Sequence, residues 1–207
     1  MMAPGHARPA LLAITGGIGS GKSAALDAFR RLGAAVLSAD AVVHEAYADP
    51  DVAQLVAKRF GRDVVTSTGG IDRRRLGDMV FSNVDALRAL EAIIHPRVAL
   101  ARERWVDRER AAVPPPPLLV CEVPLLFEVG ADRGVDVTLV VTASDAVRRT
   151  RVEARGQSFA ARSGRQMAEA DKVARADHAF VNDGSLDALE AWVGERFRQY
   201  ASLDVAP

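Results

Sequence analysis

Eight residues near the amino end carry the strongest chemical signal in this chain. Gly16-Gly17-Ile18-Gly19-Ser20-Gly21-Lys22-Ser23 fills every fixed position of the pattern G-x-x-x-x-G-K-[ST]. A loop that wraps a polyphosphate must aim several backbone N–H groups at it, and side chains at those turns would block the approach. Gly16, Gly17, Gly19 and Gly21 leave it open. The spacing therefore predicts a nucleotide held by Gly17, Ile18, Gly19, Ser20, Gly21, Lys22, Ser23 and Ala24. Lys22, expected on the loop rather than in a core, would place a positive charge between the β- and γ-phosphates. Ser23 would offer a hydroxyl to Mg²⁺, and the N–H of Ala24 would reach the α-phosphate.

Such a loop does not by itself separate a kinase from a GTPase or a mechanical ATPase. The sequence has no Asn-Lys-x-Asp element for reading guanine, and it is short for a motor. It does carry an arginine cluster toward its end: Arg148, Arg149, Arg151, Arg155, Arg162 and Arg165. Phosphoryl transfer needs positive charge over the transferring group and needs water kept out. Arg151 and Arg155, four apart, share a helix face, so one can stack on adenine while the other meets phosphate. The alternative is a solvated helix face. Asp40, expected at the carboxyl end of a strand, is placed to accept the proton of an attacking hydroxyl or to help hold Mg²⁺. It also suits a helix N-cap.

The elements that must position these residues follow from the apolar pattern. Ala10–Thr15 is a short apolar run feeding the glycine loop. Ala24–Leu32 has helical spacing, with Leu26, Phe29 and Leu32 on one face and Gly33 as its stop. Ala35–Asp40 makes a second strand, completing a βαβ unit and implying a parallel sheet. Further strands are expected at 118–123, 135–141 and 179–181, with a final helix capped by Ser185. Between them lies a mainly helical insertion, broken at Gly61, Gly69-Gly70 and His95-Pro96, with a separate helix over 97–110. The resulting division is a core over 10–44 and 118–207, a lid over about 148–175, and an insertion over 45–117.

Composition narrows the function class. Lys+Arg and Asp+Glu are equal at 27 each, so no global field attracts nucleic acid or a membrane surface. No apolar run approaches the ~20 residues that span a bilayer. The single cysteine, Cys121, lies in an apolar run and reads as a buried thiol suited to a reducing cytoplasm. Hydrophobic content of 49% is enough to bury a sizeable core.

Taken together, these residues resemble the dephospho-CoA kinase family over nearly the whole chain after Pro9. Thr15–Ser23 is similar to that family's form of the loop, and Ser38-Ala39-Asp40 falls where it has Asp-Ala-Asp. Ile71-Asp72-Arg73 with Leu76 and Val80-Phe81 is similar to its insertion, as are Ile93-Ile94-His95-Pro96 and Val123-Pro124-Leu125-Leu126-Phe127-Glu128. Gln166, Ala176-Asp177 and Val181-Asn182-Asp183-Gly184 match its end region. Ser38, Ala24 and Glu169 depart from the pattern. The resemblance implies an α/β P-loop kinase core, with a five-stranded parallel sheet flanked by helices, a helical acceptor-binding insertion and a helical lid. It implies transfer of a phosphoryl group from ATP, with Mg²⁺, to the ribose 3′-hydroxyl of dephospho-CoA. It assigns Asp40, Lys22 and Arg155 to catalysis, and Arg151, Asn182 and Gly184 to ATP. Asp40, Arg73, His95, Pro124, Leu125 and Leu126 are assigned to the acceptor. A different small-molecule kinase and a non-catalytic nucleotide-binding module are the competing readings; the size of the insertion favours a bulky acceptor, and intact Lys22, Ser23 and Asp40 favour catalysis.

Overall fold

A computed structural model describes residues 8–81, 83–156, 159 and 167–201. The chain divides into two compact units, Met1–Ser38 with Val106–Pro207, and Ala39–Trp105.

The first unit is built on five strands: β1 (Leu11–Thr15), β2 (Ala35–Leu37), β3 (Leu119–Glu122), β4 (Val137–Thr142) and β5 (His178–Val181). They form one sheet in the order β2-β3-β1-β4-β5, and every neighbouring pair is parallel. β1 and β4 are buried at every position, which is why both read as continuous apolar runs rather than alternating ones. Helices α1 (Lys22–Arg31) and the carboxyl-terminal α8 (Leu186–Ala201) pack on the sheet. Leu12, Ile14, Phe29, Leu139, Leu189 and Val193 lie at the heart of that core. Leu26 and Phe29 of α1 are buried, but Leu32 is 44% exposed, because the helix ends at Arg31 and Gly33 turns the chain away at φ 98°. The sheet has the order in which the connections leaving β1 and β3 run to opposite sides, so their carboxyl ends flank a crevice where open α/β sheets take ligands. The glycine loop follows β1 directly, and residues 123–130 follow β3.

The second unit holds α2 (Ala39–Ala48), α3 (Pro50–Phe60), α4 (Arg73–Phe81) and α5 (Val84–Arg110) as far as Trp105. Sequence punctuation is visible at its helix ends. Asp49 accepts a hydrogen bond from the N–H of Asp51 ahead of Pro50, and Gly61 closes α3 at φ 95°. Asp72 accepts from Arg74 and Arg75 at the start of α4, and Asn83 from Asp85 and Ala86 at the start of α5. Val52, Val56, Val64, Leu76, Val80, Leu90 and Ile94 form its core.

Two expectations are corrected here. β2 stops at Leu37, since only Ala35–Leu37 pair with β3, and Asp40 lies in the first turn of α2 rather than at a strand end. The helix is also unbroken at His95-Pro96: α5 runs through Pro96 to Arg110. Proline removes one ladder bond and costs about 3 kcal/mol in a helix interior. Leu90 and Ile94 before it and Val98 after it pack into the same apolar cluster, and that packing carries the helix across.

Candidate active site

The phosphate loop is held in shape by groups far away in sequence. Gly16 has φ 143°, and a Cβ there would stand 2.0 Å from the carbonyl oxygen of Val141 on β4. Gly21 has φ 107°, and its Cβ would stand 2.2 Å from Nδ2 of Asn182. Neither position accepts a side chain. The loop's carbonyls are then tied down from outside. Arg148 Nε donates to the carbonyl of Ile18 (3.0 Å), Arg151 Nη1 lies 3.4 Å from those of Gly19 and Ser20, and Asn182 Nδ2 donates to that of Ser20 (2.8 Å). In a trans peptide the C=O and the following N–H point to opposite sides. Fixing the carbonyls of residues 18–20 on one side therefore aims the next N–H groups to the other.

Helix α1 continues this donor set. Its first ladder bond runs from the N–H of Ala25 to the carbonyl of Gly21 (3.1 Å), so the N–H groups of Lys22, Ser23 and Ala24 precede the ladder. Gly21 caps the helix without a side chain, and the first turn holds no acidic residue. This is an anion site by construction. The Oγ of Ser20 is buried within the loop with no partner among the described residues.

Lys22 is the first residue of α1 and only 9% exposed, which corrects its expected place on an open loop. Its Nζ donates to the carbonyl of Gly17 (3.0 Å). Burial pushes its ammonium below the ordinary lysine range. Glu122 opposes that shift and nearby Lys172 adds to it; Glu169 opposes it and Arg148 adds to it more weakly. Ser23 is exposed beside it. Among the described residues no cluster of three His, Cys, Asp or Glu side chains is arranged as a metal cage. A Mg²⁺ ion that travels with nucleotide phosphates needs few protein oxygens, and the exposed Ser23 hydroxyl at the helix start fits that requirement.

The remaining candidate residues sort by environment. In the first unit, Asn182 is buried and its amide is committed to the loop, so it shapes the site from behind. Gly184 is exposed, with open space around it. Arg155 is exposed just beyond α6 (Asp145–Glu153). Pro124 and Leu125 are half-buried in the turn after β3, where the carbonyl of Pro124 accepts from Thr15 Oγ1 (3.3 Å). The Leu126 side chain is wholly buried and offers a ligand only its main chain. In the second unit, Asp40, Arg73 and His95 are all exposed; Arg73 lies 3.3 Å from Nδ1 of His44 and over the Tyr47 ring. Arg162, Arg165 and Gln166, on which part of the lid and of the family match rested, lie outside the described residues.

Sequence reasoning underrated Arg148. It is only 6% exposed, paired with Asp145 (3.3 Å) and stacked on Phe159, so it belongs to the loop's scaffold and not to a solvated face. It also passed over Lys172, which is 0% exposed on α7 (Glu169–Arg175). The cue for Arg148 was its spacing three before Arg151 on one helix face. No local signal marks Lys172.

A parallel sheet with a glycine loop at the end of its central strand, opening a helix through Lys-Ser and clamped by arginines, defines a P-loop kinase core. The profile of a family described as dephospho-CoA kinase matches residues 10–188. A dephospho-CoA kinase from Symbiobacterium thermophilum is 38% identical over 193 residues, covering 91% of this chain and 80% of the relative. One from Novosphingobium aromaticivorans is 38% identical over 195 residues, 92% of this chain and 94% of the relative. A crystal structure from Thermus thermophilus superposes with a TM-score of 0.77 at 36% identity, over 93% of this chain and 98% of that one. The Campylobacter jejuni dephospho-CoA kinase shares the fold, with a TM-score of 0.61 at 21% identity over 93% of this chain and 97% of that one. The chain belongs to the dephospho-CoA kinase family.

Proposed function

We propose that this enzyme transfers the γ-phosphoryl group of ATP to the ribose 3′-hydroxyl of dephospho-CoA, releasing coenzyme A and ADP, the last step of coenzyme A biosynthesis. The observation that carries this reading is a phosphate loop with Lys22 and Ser23 in place, in a chain whose family match runs from residue 10 to residue 188. The loop and α1 N–H groups bind the triphosphate, and Lys22 neutralises charge that grows between the β- and γ-phosphates as transfer proceeds. Ser23 would hold the Mg²⁺ that accompanies ATP, and that ion would supply positive charge to offset the phosphates. Arg151 and Arg155 serve ATP, Arg151 at the loop carbonyls and Arg155 toward developing charge. Gly184 stays with the nucleotide, and Asn182 acts through the loop.

On the acceptor side, Arg73, His95, Pro124, Leu125 and the main chain of Leu126 bind dephospho-CoA. Asp40, exposed three residues beyond Leu37 along the chain, orients the 3′-hydroxyl, accepts its proton and shares in holding Mg²⁺. The enzyme works in the cytoplasm, a setting supported by its single buried thiol. No helix among the described residues is long and apolar enough to cross a membrane. A core over 10–44 and 118–207 with its lid over about 148–175, and an acceptor insertion over 45–117, remains the functional division we propose. The test is a phosphoryl-transfer screen with ATP against dephospho-CoA, AMP, adenosine and gluconate. Turnover should be confined to dephospho-CoA; a preference for any other acceptor would overturn the assignment.

A further inference from the structure

Lys172 is one of the largest wholly buried side chains in the molecule. Its Nζ lies 3.1 Å from Glu128 Oε1 and 3.5 Å from the carbonyl oxygen of Pro124. The same Glu128 oxygen accepts the N–H of Met167 (2.9 Å), and the Pro124 carbonyl also accepts from Thr15 Oγ1, one residue before the loop. One ion pair thus gathers main-chain groups from two separate segments, residues 124 and 167, beside the end of β1. A second residue of α7 touches the loop itself. Glu169 lies three positions before Lys172, on the same helix face, and its Oε1 stands 2.7 Å from where a Cβ on Gly17 would be.

We propose that Lys172 and Glu128 are positioning residues for phosphoryl transfer, pinning α7 to the turn after β3 and so fixing where the Glu169 carboxylate stands against the phosphate loop. Stability alone does not account for such a pair. Two buried charges lose solvation that their attraction only partly returns, and an apolar pair of similar volume does as well or better. An apolar pair cannot hold the Pro124 carbonyl and the Met167 N–H together. A carboxylate at the mouth of a triphosphate site is tolerable only where its position is fixed, because a shift toward the phosphates sets like charge on like. Misplacement of about 1 Å in such a site lowers the rate by as much as about 10²-fold.

The inference rests on the kinase reading above, and the experiment separates the two. Wild-type turnover of dephospho-CoA tests that reading. Lys172→Met, Glu128→Gln and the apolar double variant Lys172→Met/Glu128→Met test the pair, by melting temperature, by steady-state kinetics with ATP and dephospho-CoA, and by amide exchange at Met167 and Gly17–Gly21. Lys172→Met leaves Glu128 buried without its partner, so melting temperature and kcat should both fall. The double variant should regain the melting temperature, yet keep kcat at least about tenfold down with both KM values within about threefold. Its loop amides should exchange faster. Glu128→Gln alone keeps the shape and the accepting oxygen but leaves the Lys172 ammonium buried without its counter-charge, so it should fold with a lowered melting temperature and a lowered kcat. Recovery of kcat along with stability in the double variant, full kcat in Glu128→Gln, or unchanged exchange at the loop in a folded variant would overturn the proposal. The exchange measurement decides it without reference to turnover.

Discussion

The two units bury different things. Every buried polar or charged side chain described, namely Thr15, Ser20, Lys22, Thr138, Thr142, Arg148, Lys172 and Asn182, belongs to the unit that carries the phosphate loop. Among the described residues of Ala39–Trp105 the buried positions are all apolar. Its chemically distinctive residues, Asp40, Arg73 and His95, stand exposed on helices. The first unit gives up apolar packing to preorganise donors around an anion, which is costly unless each group is paired. The second keeps a dry core and spends chemistry only on its surface.

The sharpest way to break this contrast is Lys22→Met. Met fills a similar volume, and turnover should fall by at least about 10²–10³-fold, the loss seen when one preorganised charge-stabilising donor is removed. The melting temperature at neutral pH should hold or rise. Burial lowers the Lys22 pKa, so the native state holds that proton less tightly than the unfolded chain, and the ammonium costs stability at every pH below its folded value. A large fall in melting temperature would mean that Lys22 supports the fold. Asp40→Asn tests the other pole. It removes a surface charge, so stability should stay within about 0.5 kcal/mol while kcat drops by roughly 10²-fold or more. Full activity in that variant would assign the proton to another group.

Leu76→Ala should do the reverse. Leu76 is 2% exposed in the apolar cluster of the second unit, and its truncation should cost about 2–5 kcal/mol in chemical denaturation. Initial rates measured well below the midpoint should stay close to wild type. Asp136→Asn has the smallest expected effect and tests the polar style of the first unit away from its site. Burial raises this carboxyl, but the paired bonds from Arg8, the N–H of Leu11 and the charges of Arg8 and Arg110 bring it below the ordinary carboxylate value. Its stabilisation is complete above a pH of about 4 and is lost as pH falls through the lower native value. The variant should be less stable at neutral pH by about 1–3 kcal/mol, and the gap should close in acid. A gap that stays constant down to pH about 2 would show that the charge contributes nothing.

The sequence made local features legible and left tertiary ones hidden. The phosphate loop was readable because its glycines are demanded by backbone geometry within eight residues. Five strands and their parallel sense followed from short apolar runs separated by helical spacing. Asp40 was misplaced because Leu37-Ser38-Ala39-Asp40 can extend a strand or open a helix, and only the pairing of β2 with β3 decides. Pro96 looked like a break because helix propensity is local, whereas the Leu90, Ile94 and Val98 packing that overrides it is not. Lys172 and Glu128 are 44 positions apart, and nothing in either neighbourhood announces the other.

The central strand of the sheet has a consequence for how the protein is made. β1 is finished early in the chain, but both strands that flank it, β3 and β4, come more than 100 residues later, and Asn182, which holds the Ser20 carbonyl, later still. At translation rates of about 5–20 residues per second, β1 and its glycine loop wait roughly 5–30 seconds for these partners to emerge from the ribosome. Through that interval the buried apolar run Leu11–Ile14 has no sheet to enter. The nascent chain therefore gains its nucleotide site late and all at once, and until then it is a client for whatever shields exposed apolar strands at the tunnel exit.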